Sequence, residues 1–239
     1  MIATLSDFIE LYSQICATGW IRTHRAGPTG IGKTLEDLLG IPENNIEGPD
    51  FGEYELKSCR RNSKSMLTMF TLAPAPARSN SYLREKFGYS SNAYDNNEKV
   101  LHATLSADVF TPIADTGEQL KIHCGADRIS IETTCGIENV YWERDRLKTA
   151  FERKYRGKFV YAKADARNTG AEEEFNFCEA YEVSGFDYDA MMNLLEAGKV
   201  YVDLRIGQYP DGRTHDHGTG FRIREIDQPM LFRCNRRIV

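Results

Sequence analysis

The segment DFGEYELK, residues 50–57, brings three acids and one lysine close together. From residue 53 onward polar and apolar residues alternate as in a β-strand, so Glu53, Glu55 and Lys57 are predicted to share one face. Carboxylates are hard oxygen ligands suited to Mg²⁺, which lowers the pKa of bound water and offsets charge on a phosphate under attack. Lys57 is suited to positioning that water or stabilising the transition state. With Asp50, which follows a Gly-Pro turn signal, the segment predicts a metal-dependent phosphodiesterase site.

The charge of the chain changes sign at this segment. Residues 36–55 contain seven acids and no Lys or Arg, whereas residues 56–90 contain seven basic residues and one acid. An acidic pocket can hold a cation while a neighbouring basic strip holds a phosphate backbone, so the pattern favours a nuclease. Within the strip, Arg60, Arg61 and Lys64 are predicted to contact DNA.

Composition limits the class of protein. A chain of 239 residues with 41% hydrophobic content can form one sizeable domain or two small lobes around a cleft. The net charge of −5 argues against a protein that coats nucleic acid non-specifically. The six cysteines form no C-x-x-C pair, and we find no signal peptide and no apolar run of about 20 residues. We therefore expect a cytoplasmic protein with free thiols and no membrane span.

Residues 27–34, GPTGIGKT, match the phosphate-binding P-loop pattern. A P-loop must follow a buried apolar strand, but the preceding residues 20–25 are largely polar. The better interpretation is a Gly-rich turn that enters a helix carrying Leu35, Glu36 and Leu39. Lys33 at the start of this helix is predicted to contact a DNA phosphate.

Several further elements follow from apolar spacing. A helix capped by Ser6 and ended by Gly19, a hairpin of residues 119–124 and 128–134, a helix through Leu147 and Phe151, and a helix capped by Asp187 are predicted. Residues 78–99 are polar with interspersed tyrosines and predict a DNA-contacting loop. The polar run 165–174 is interpreted as a connection, which would divide a catalytic lobe, residues 1–165, from a recognition lobe, residues 166–239. The two lobes could also interleave.

The C-terminal region predicts a recognition element. Residues 200–206 and 221–224 alternate like two paired strands that expose Arg205, Arg222 and Arg224. Arginine on a strand pair can engage guanine edges in the major groove. The intervening loop, Gly207 to Gly220, adds further predicted DNA-binding residues: Arg213, His215, Asp216 and His217. Two histidines flanking an acid also allow structural zinc, although no third or fourth ligand is obvious.

Three motifs occur together and in order: G-x-TGIGKT-x-EDLL from residue 27, PD-x4-E-x-K from residue 49, and D-x-RIG followed by THDHGT between residues 203 and 219. With these motifs the chain resembles the MvaI/BcnI family of type II restriction endonucleases over nearly its whole length, and the MvaI branch in particular.

The resemblance implies an α/β (α+β) fold with a PD-(D/E)XK core, in which a mixed sheet flanked by helices supports the metal site. It implies Mg²⁺ bound by Asp50 and Glu55, Lys57 as the catalytic lysine, and Glu36 as an accessory acid like that of the mismatch-repair nickase MutH. Glu53 stays open as an alternative ligand. The implied partner is double-stranded DNA, gripped by a monomer that cuts CC-N-GG-type sites one strand at a time. A DNA methyltransferase is expected in the same system, without direct contact.

Three alternatives remain at this point. A MutH-like nickase would need an activating partner. A P-loop NTPase would turn over ATP or GTP. A DNA-binding protein without catalytic activity would bind its specific DNA site without cleaving it.

Overall fold

The computed structural model describes residues 2–42, 49–61, 66–90, 99–155, 157–170, 172–209, 211–216 and 218–239. Its helices are α1 (Leu5–Thr18), α2 (Gly30–Leu39), α3 (Ser79–Phe87), α4 (Arg144–Lys154) and α5 (Tyr188–Glu196), with a 3₁₀ turn at Gln228–Leu231. The strands are β1 (Trp20–Arg22), β2 (Tyr54–Arg60), β3 (Leu67–Thr71), β4 (Tyr89–Ser90), β5 (Lys99–Leu105), β6 (Thr111–Pro112), β7 (Gln119–Cys124), β8 (Arg128–Thr133), β9 (Gly136–Glu143), β10 (Lys158–Asn168), β11 (Glu173–Phe186), β12 (Val200–Gln208), β13 (Thr214–Asp216), β14 (Gly220–Ile223) and β15 (Phe232–Arg237).

The chain forms two compact units that interleave along the sequence. The first unit comprises Met1–Lys64, Tyr155–Phe186 and Phe232–Val239, and the second comprises Ser65–Lys154 and Asp187–Leu231. The expected boundary between residues 165 and 166 does not coincide with this division. The polar run 165–174, predicted to be a connection between lobes, instead covers the end of β10 and the start of β11, two strands of one hairpin in which Asn168 pairs with Glu173.

A mixed sheet organises the first unit. Strand β2 pairs parallel to β10, and β10 pairs antiparallel to β11. Strands β1 and β15 pair with different parts of β11, so this long strand has neighbours along both edges. Residues of α1 and α2 share one hydrophobic core with β2, β10 and β11, which confirms the predicted α+β fold with a mixed sheet flanked by helices.

Helix α1 has its N-cap two residues before the predicted one. Thr4, rather than Ser6, is the N-cap, because its hydroxyl accepts the Asp7 N–H while the Asp7 carboxylate accepts the Thr4 N–H. Gly19 ends the helix as predicted. The buried Tyr12 donates its hydroxyl hydrogen towards the carbonyls of Lys163 and Glu179, which fixes α1 against β10 and β11.

The second unit contains two sheets. One has the strand order β3-β14-β12-β5-β4, with β13 paired to β12, and the other is an antiparallel sheet β6-β7-β8-β9. The predicted β7–β8 hairpin is confirmed, as is the pairing of residues 200–203 with 220–223. Asp187 caps α5 as expected, since its carboxylate accepts the N–H groups of Asp189 and Ala190.

Two segments predicted as loops contain regular structure. Residues 79–87 form α3, because Leu83 and Phe87 bury fully one turn apart although the sequence around them is polar. Residues 91–98 of the same predicted loop lie outside the described residues. The predicted loop from Gly207 to Gly220 includes β13, where His215 pairs with Gly207.

None of the six cysteines, all of which fall within the described ranges, forms a disulfide. In the described part of the chain, no helix combines the length and the apolar character that a membrane crossing requires.

Candidate functional site

A tight turn places Asp50 beside the strand that follows it. The backbones of Phe51 and Tyr54 pair with each other, so only Gly52 and Glu53 lie at the turn. Gly52 has φ +51°, and a Cβ there would lie 2.8 Å from the carbonyl oxygen of Ala3. Only glycine suits this position, because both the positive φ and the close approach disfavour a side chain. The buried ring of Phe51 stacks on Phe8 and on Tyr54, which anchors the turn to the core.

The Asp50 carboxylate is tied to β2 by the backbone. Its Oδ2 accepts a hydrogen bond of 2.6 Å from the N–H of Leu56, which leaves Oδ1 available for a cation. Surrounding atoms desolvate the carboxylate, and the nearby Glu55 adds to this effect, so the pKa of Asp50 is raised although the Leu56 N–H and Lys57 oppose the rise. A raised carboxylate pKa beside a second acid is typical of functional sites.

Glu55 and Lys57 lie on the same face of β2. Lys57 Nζ lies 2.5 Å from Glu55 Oε1, and both side chains are about one-third exposed. Glu53 does not share this face, because β2 begins at Tyr54 and Glu53 belongs to the turn. Its carboxylate instead pairs with Lys158 at 2.5 Å and is largely exposed. The expectation that Glu53 lies on the strand was wrong, and the geometry favours Glu55 as the acid beside Asp50.

Helix α2 brings two further charged residues to the site. A cavity of about 450 Å³ within the first unit is lined by residues of α2, of the turn before it and of β2. Its charged lining residues are Arg25, Lys33, Glu36, Asp50 and Lys57. Helix α2 lies close to β2 at Gly32, where a Cβ would be in ordinary contact with Ser58 Oγ at 3.7 Å. The predicted positions of Glu36 and Lys33 on this helix are therefore beside the predicted metal site.

The donors at this site suit a hard cation. Among the described residues, no group of three His, Cys, Asp or Glu side chains is placed so that it could hold a metal ion by itself. Mg²⁺ keeps several waters and commonly binds through one or two carboxylates together with substrate phosphate oxygens. Asp50 and Glu55 provide such a pair, with Lys57 next to it. The same oxygen donors fit zinc poorly.

The segment 27–34, which matches the P-loop pattern, lacks the context that nucleotide binding needs, as the sequence analysis expected. β1, which precedes it, is a three-residue strand whose side chains are exposed or half-buried, whereas a P-loop follows a buried strand. Thr29 at the N-cap of α2 makes no side-chain capping hydrogen bond. Gly30 instead allows the start of α2 to pack against the segment that follows β1, since a Cβ there would lie 2.3 Å from the carbonyl oxygen of Arg25.

Arg60 and Arg61 differ from the sequence expectation in their surroundings. Arg60 forms a two-pronged ion pair with Glu173, with both N···O distances at 2.6 Å. Arg61 likewise binds Asp165 through Nε and Nη2 and lies 3.3 Å from Glu179. Their partners are more than 100 positions away in the sequence, so local charge counting could not identify them. The basic strip predicted from residues 56–90 is thus partly neutralised within the first unit.

A second cluster of charged groups lies in the second unit. Asp203 on β12 is 4% exposed, and its carboxylate binds both Arg205 (2.9 Å) and Arg222 (2.8 Å). Thr104 donates to the same carboxylate at 2.6 Å. The two guanidinium groups, which sequence analysis predicted to read bases, are therefore held side by side. Asp203 is not among the residues predicted to bind DNA, although its position two residues before Arg205 on one face of the strand was a usable signal.

The remaining predicted DNA-binding residues occupy different surroundings. Arg224 is exposed just beyond β14, with its guanidinium 5.2 Å from the ring of Tyr201. Arg213 pairs with Asp211 and lies over Tyr209, whose ring is 4.4 Å from that of His215. Lys64 and His217 lie outside the described residues, and only the backbone of Asp216 is described, as part of β13.

Comparison with known proteins gives consistent matches. A model of the MvaI/BcnI restriction endonuclease family matches residues 9–232. The solved structure of restriction endonuclease MvaI in complex with cognate DNA is similar with a TM-score of 0.80 and 29% identity, covering 100% of both chains. The structure of MvaI without DNA matches with a TM-score of 0.63 and 29% identity, covering 100% of this chain and 99% of that one. Curated protein sequences gave no significant match.

Proposed function

The chain belongs to the MvaI/BcnI restriction endonuclease family, and we propose that it is a Mg²⁺-dependent type II enzyme that hydrolyses DNA phosphodiester bonds at a short CC-N-GG-type site. The observation that carries this proposal is the convergence of Asp50, Glu55 and Lys57 at the start of β2, next to a cavity that Glu36 and Lys33 also line. This arrangement corresponds to a PD-(D/E)XK nuclease motif in which Asp50 and Glu55 hold the metal ion.

Bound Mg²⁺ would lower the pKa of a water molecule and offset charge on the scissile phosphate. The residues of the chain would divide the other tasks. Asp50 is fixed by the Leu56 N–H. Its second carboxylate oxygen is therefore already oriented before metal and substrate bind, and no side-chain entropy has to be lost in each reaction cycle. Lys57, held by Glu55, can donate a hydrogen bond to the attacking water or to a phosphate oxygen. Glu36 would orient water from the α2 side of the cavity.

Recognition is assigned to the second unit. Arg205 and Arg222 present guanidinium groups from adjacent strands of one sheet, and the buried Asp203 fixes both. Arginine forks of this kind match the O6 and N7 acceptors of guanine. Arg224, Arg213 and the 214–217 segment would contribute further base or backbone contacts. Lys33 would contact a phosphate near the cavity.

We further propose that the enzyme acts as a monomer and cuts the two strands in succession, on the basis of the family resemblance together with the single copy of the catalytic motif in the chain. Digestion of a sequenced plasmid, with and without Mg²⁺ and with the ends mapped, tests activity, cofactor and site together. Mg²⁺-dependent cleavage of plain plasmid at one short sequence is expected. Cleavage that requires an added protein would instead indicate a MutH-like nickase, and retention of the site with no cleavage would indicate a DNA-binding protein without activity.

A further inference from the structure

The guanidinium of Arg60 is almost fully used by contacts within the first unit. Its Nε and Nη2 donate to the two carboxylate oxygens of Glu173, and its Nη1 donates to the carbonyl oxygen of Pro28 at 3.1 Å. A longer contact of 3.4 Å joins Nη2 to the carbonyl of Gly27. One face of the group lies 5.3 Å from the buried ring of Phe175. Because arginine has five N–H donors, little capacity is left for a DNA phosphate.

These contacts connect three parts of the first unit. Arg60 is the last residue of β2, the strand that carries Glu55 and Lys57. Glu173 is the first residue of β11, and Pro28 lies in the turn that leads into α2. Arg60 therefore joins the catalytic strand to the entrance of the helix that carries Lys33 and Glu36.

The helix itself is held by the buried residues Ile31 and Thr34, and the Thr34 hydroxyl accepts a hydrogen bond from the His24 N–H, whereas residues 24–29 before it are exposed. Thr29 gives no side-chain cap, and the turn depends on Gly27 at φ +88°. The Gly30 N–H donates to the Gly27 carbonyl at 3.0 Å, the same carbonyl that Arg60 approaches. Displacement of Gly27 and Pro28 would thus shift the first turn of α2, and with it the cavity lining.

We propose that Arg60 is a positioning residue for the reaction: it fixes the start of α2 against β2 and so sets where Lys33 and Glu36 lie relative to Asp50 and Lys57. This inference rests on the proposed nuclease function, although its structural part can be tested without DNA. Arg60 therefore contributes to the reaction through the position of α2, in place of the direct DNA contact that the sequence predicted.

Two measurements on Arg60→Ala separate these roles. The first is hydrogen exchange of the free protein: amides 30–34 should exchange at least ~10-fold faster than in the wild type, because the first turn of α2 loses its anchor. The second is single-turnover cleavage of a preformed complex at the site mapped in the wild-type plasmid digest. The cleavage rate should fall at least ~10-fold, as expected when catalytic groups are displaced by a fraction of an ångström to 1 Å. The slope of log affinity against log salt should match the wild type.

Arg167→Ala is the matched control. Arg167 pairs with Glu174 across the same two strands, β10 and β11, and stacks on Trp20, and neither of these partners belongs to α2. Its exchange at amides 30–34 and its cleavage rate should resemble those of the wild type. Arg60→Lys keeps the charge but cannot span Glu173 and Pro28 together, so it should keep the wild-type salt slope and still cleave slowly.

Unchanged exchange at amides 30–34 in Arg60→Ala would overturn the inference. So would a salt slope reduced by about 0.9, the value for one lost phosphate contact, with cleavage from the preformed complex at the wild-type rate. If the wild type cleaves no DNA while exchange responds to Arg60→Ala, the nuclease proposal fails and the structural role of Arg60 stands.

Discussion

The carboxylate of Asp50 accepts a hydrogen bond of 2.6 Å from the backbone N–H of Leu56. This bond connects an acid that precedes the turn to the strand that carries Glu55 and Lys57. The spacing of Asp-x4-Glu-x-Lys thus has a physical cause, since the four intervening residues fold into a tight turn that returns Asp50 to the strand.

We expect Asp50→Ala, Glu55→Ala and Lys57→Ala each to reduce cleavage at least ~10²-fold while leaving specific binding largely intact. In the proposed mechanism these groups act on the scissile phosphate, and losing one electrostatic stabiliser has a cost of this order. Single-turnover cleavage and a metal-free binding titration on the same DNA would measure the two effects separately.

Glu53→Ala provides the control for this assignment. Glu53 is exposed and pairs with Lys158, so its removal should leave the cleavage rate within about threefold of the wild type, as for other surface substitutions. An inactive Glu53→Ala together with an active Glu55→Ala would transfer the ligand role to Glu53.

Gly52→Ala should destabilise the first unit. The residue has φ +51°, and the new Cβ would lie 2.8 Å from the Ala3 carbonyl oxygen, so strain and a clash combine. A loss of roughly 1–3 kcal/mol in the free energy of unfolding is expected. Gly40→Ala is a matched control, because Gly40 has φ +67° with no neighbouring atom within 4 Å of the new Cβ. Both variants would be compared by urea denaturation. Equal losses in the free energy of unfolding would show that the backbone moves to remove the clash between the new Cβ and the Ala3 carbonyl.

Asp203→Asn should relax base discrimination. The buried carboxylate holds Arg205 and Arg222 together. A neutral amide binds the two guanidinium groups less strongly than the carboxylate does. Discrimination at the bases read by these arginines should fall by ~1–3 kcal/mol, the value of one good bidentate contact. Binding titrations against singly substituted sites at two salt concentrations would measure it.

Arg224→Ala serves as the comparison, since the Arg224 guanidinium lies over Tyr201, whereas the Asp203 carboxylate binds Arg205 and Arg222. If Asp203→Asn weakened cognate and substituted DNA equally, the arginine pair would be gripping the backbone, and base reading would belong to other residues.

The sequence predicted those features that depend on short spacing. The catalytic strand, the cap at Asp187 and the β7–β8 hairpin follow from alternation and capping chemistry within a few residues. Helix α3 could not be read in this way. Its average composition is polar, and it is stabilised by tertiary burial of Leu83 and Phe87, which the local sequence does not indicate.

The ion pairs of Arg60 and Arg61 could not be predicted from neighbouring residues for a similar reason. Arg60 and Arg61 were predicted to grip phosphates because seven basic residues occur in the segment 56–90. Their carboxylate partners, Glu173 and Asp165, come from the β10–β11 hairpin, which reaches β2 only through sheet pairing. A count of charge along the sequence carries no information on such pairs.

Supercoiled plasmid should pass through an open-circle form when enzyme is limiting. A single catalytic motif acts on one strand per binding event, so the second strand must wait for rebinding or reorientation. Gel analysis over time, together with sedimentation of the enzyme on its site, would test both statements. Linear product formed without open circle, by a species with the mass of two chains, would contradict the monomeric scheme.

The stability of the first unit should depend on the ionised state of Glu182. The Arg236 guanidinium, and then the Tyr54 hydroxyl, hold the pKa of Glu182 below its usual range despite partial burial. A lowered pKa in the folded state means that this stabilisation is complete above the unfolded pKa and is lost as the pH falls through the folded one. Glu182→Gln should therefore reduce the free energy of unfolding by roughly 1–3 kcal/mol at pH 7, as for hydrogen bonds to a charged group.

The difference between wild type and Glu182→Gln should shrink as the pH falls below about 4, because the wild-type carboxylate then becomes neutral as well. Urea denaturation of both proteins at several pH values would follow this change. Glu152→Gln on α4 is the control: its ion pair with Lys148 is exposed and 4.0 Å long, so the effect should stay within about 0.5 kcal/mol at every pH. A Glu182→Gln loss that is the same at pH 3 and pH 7 would assign the effect to packing around Tyr54 and Arg236 rather than to the charge of Glu182.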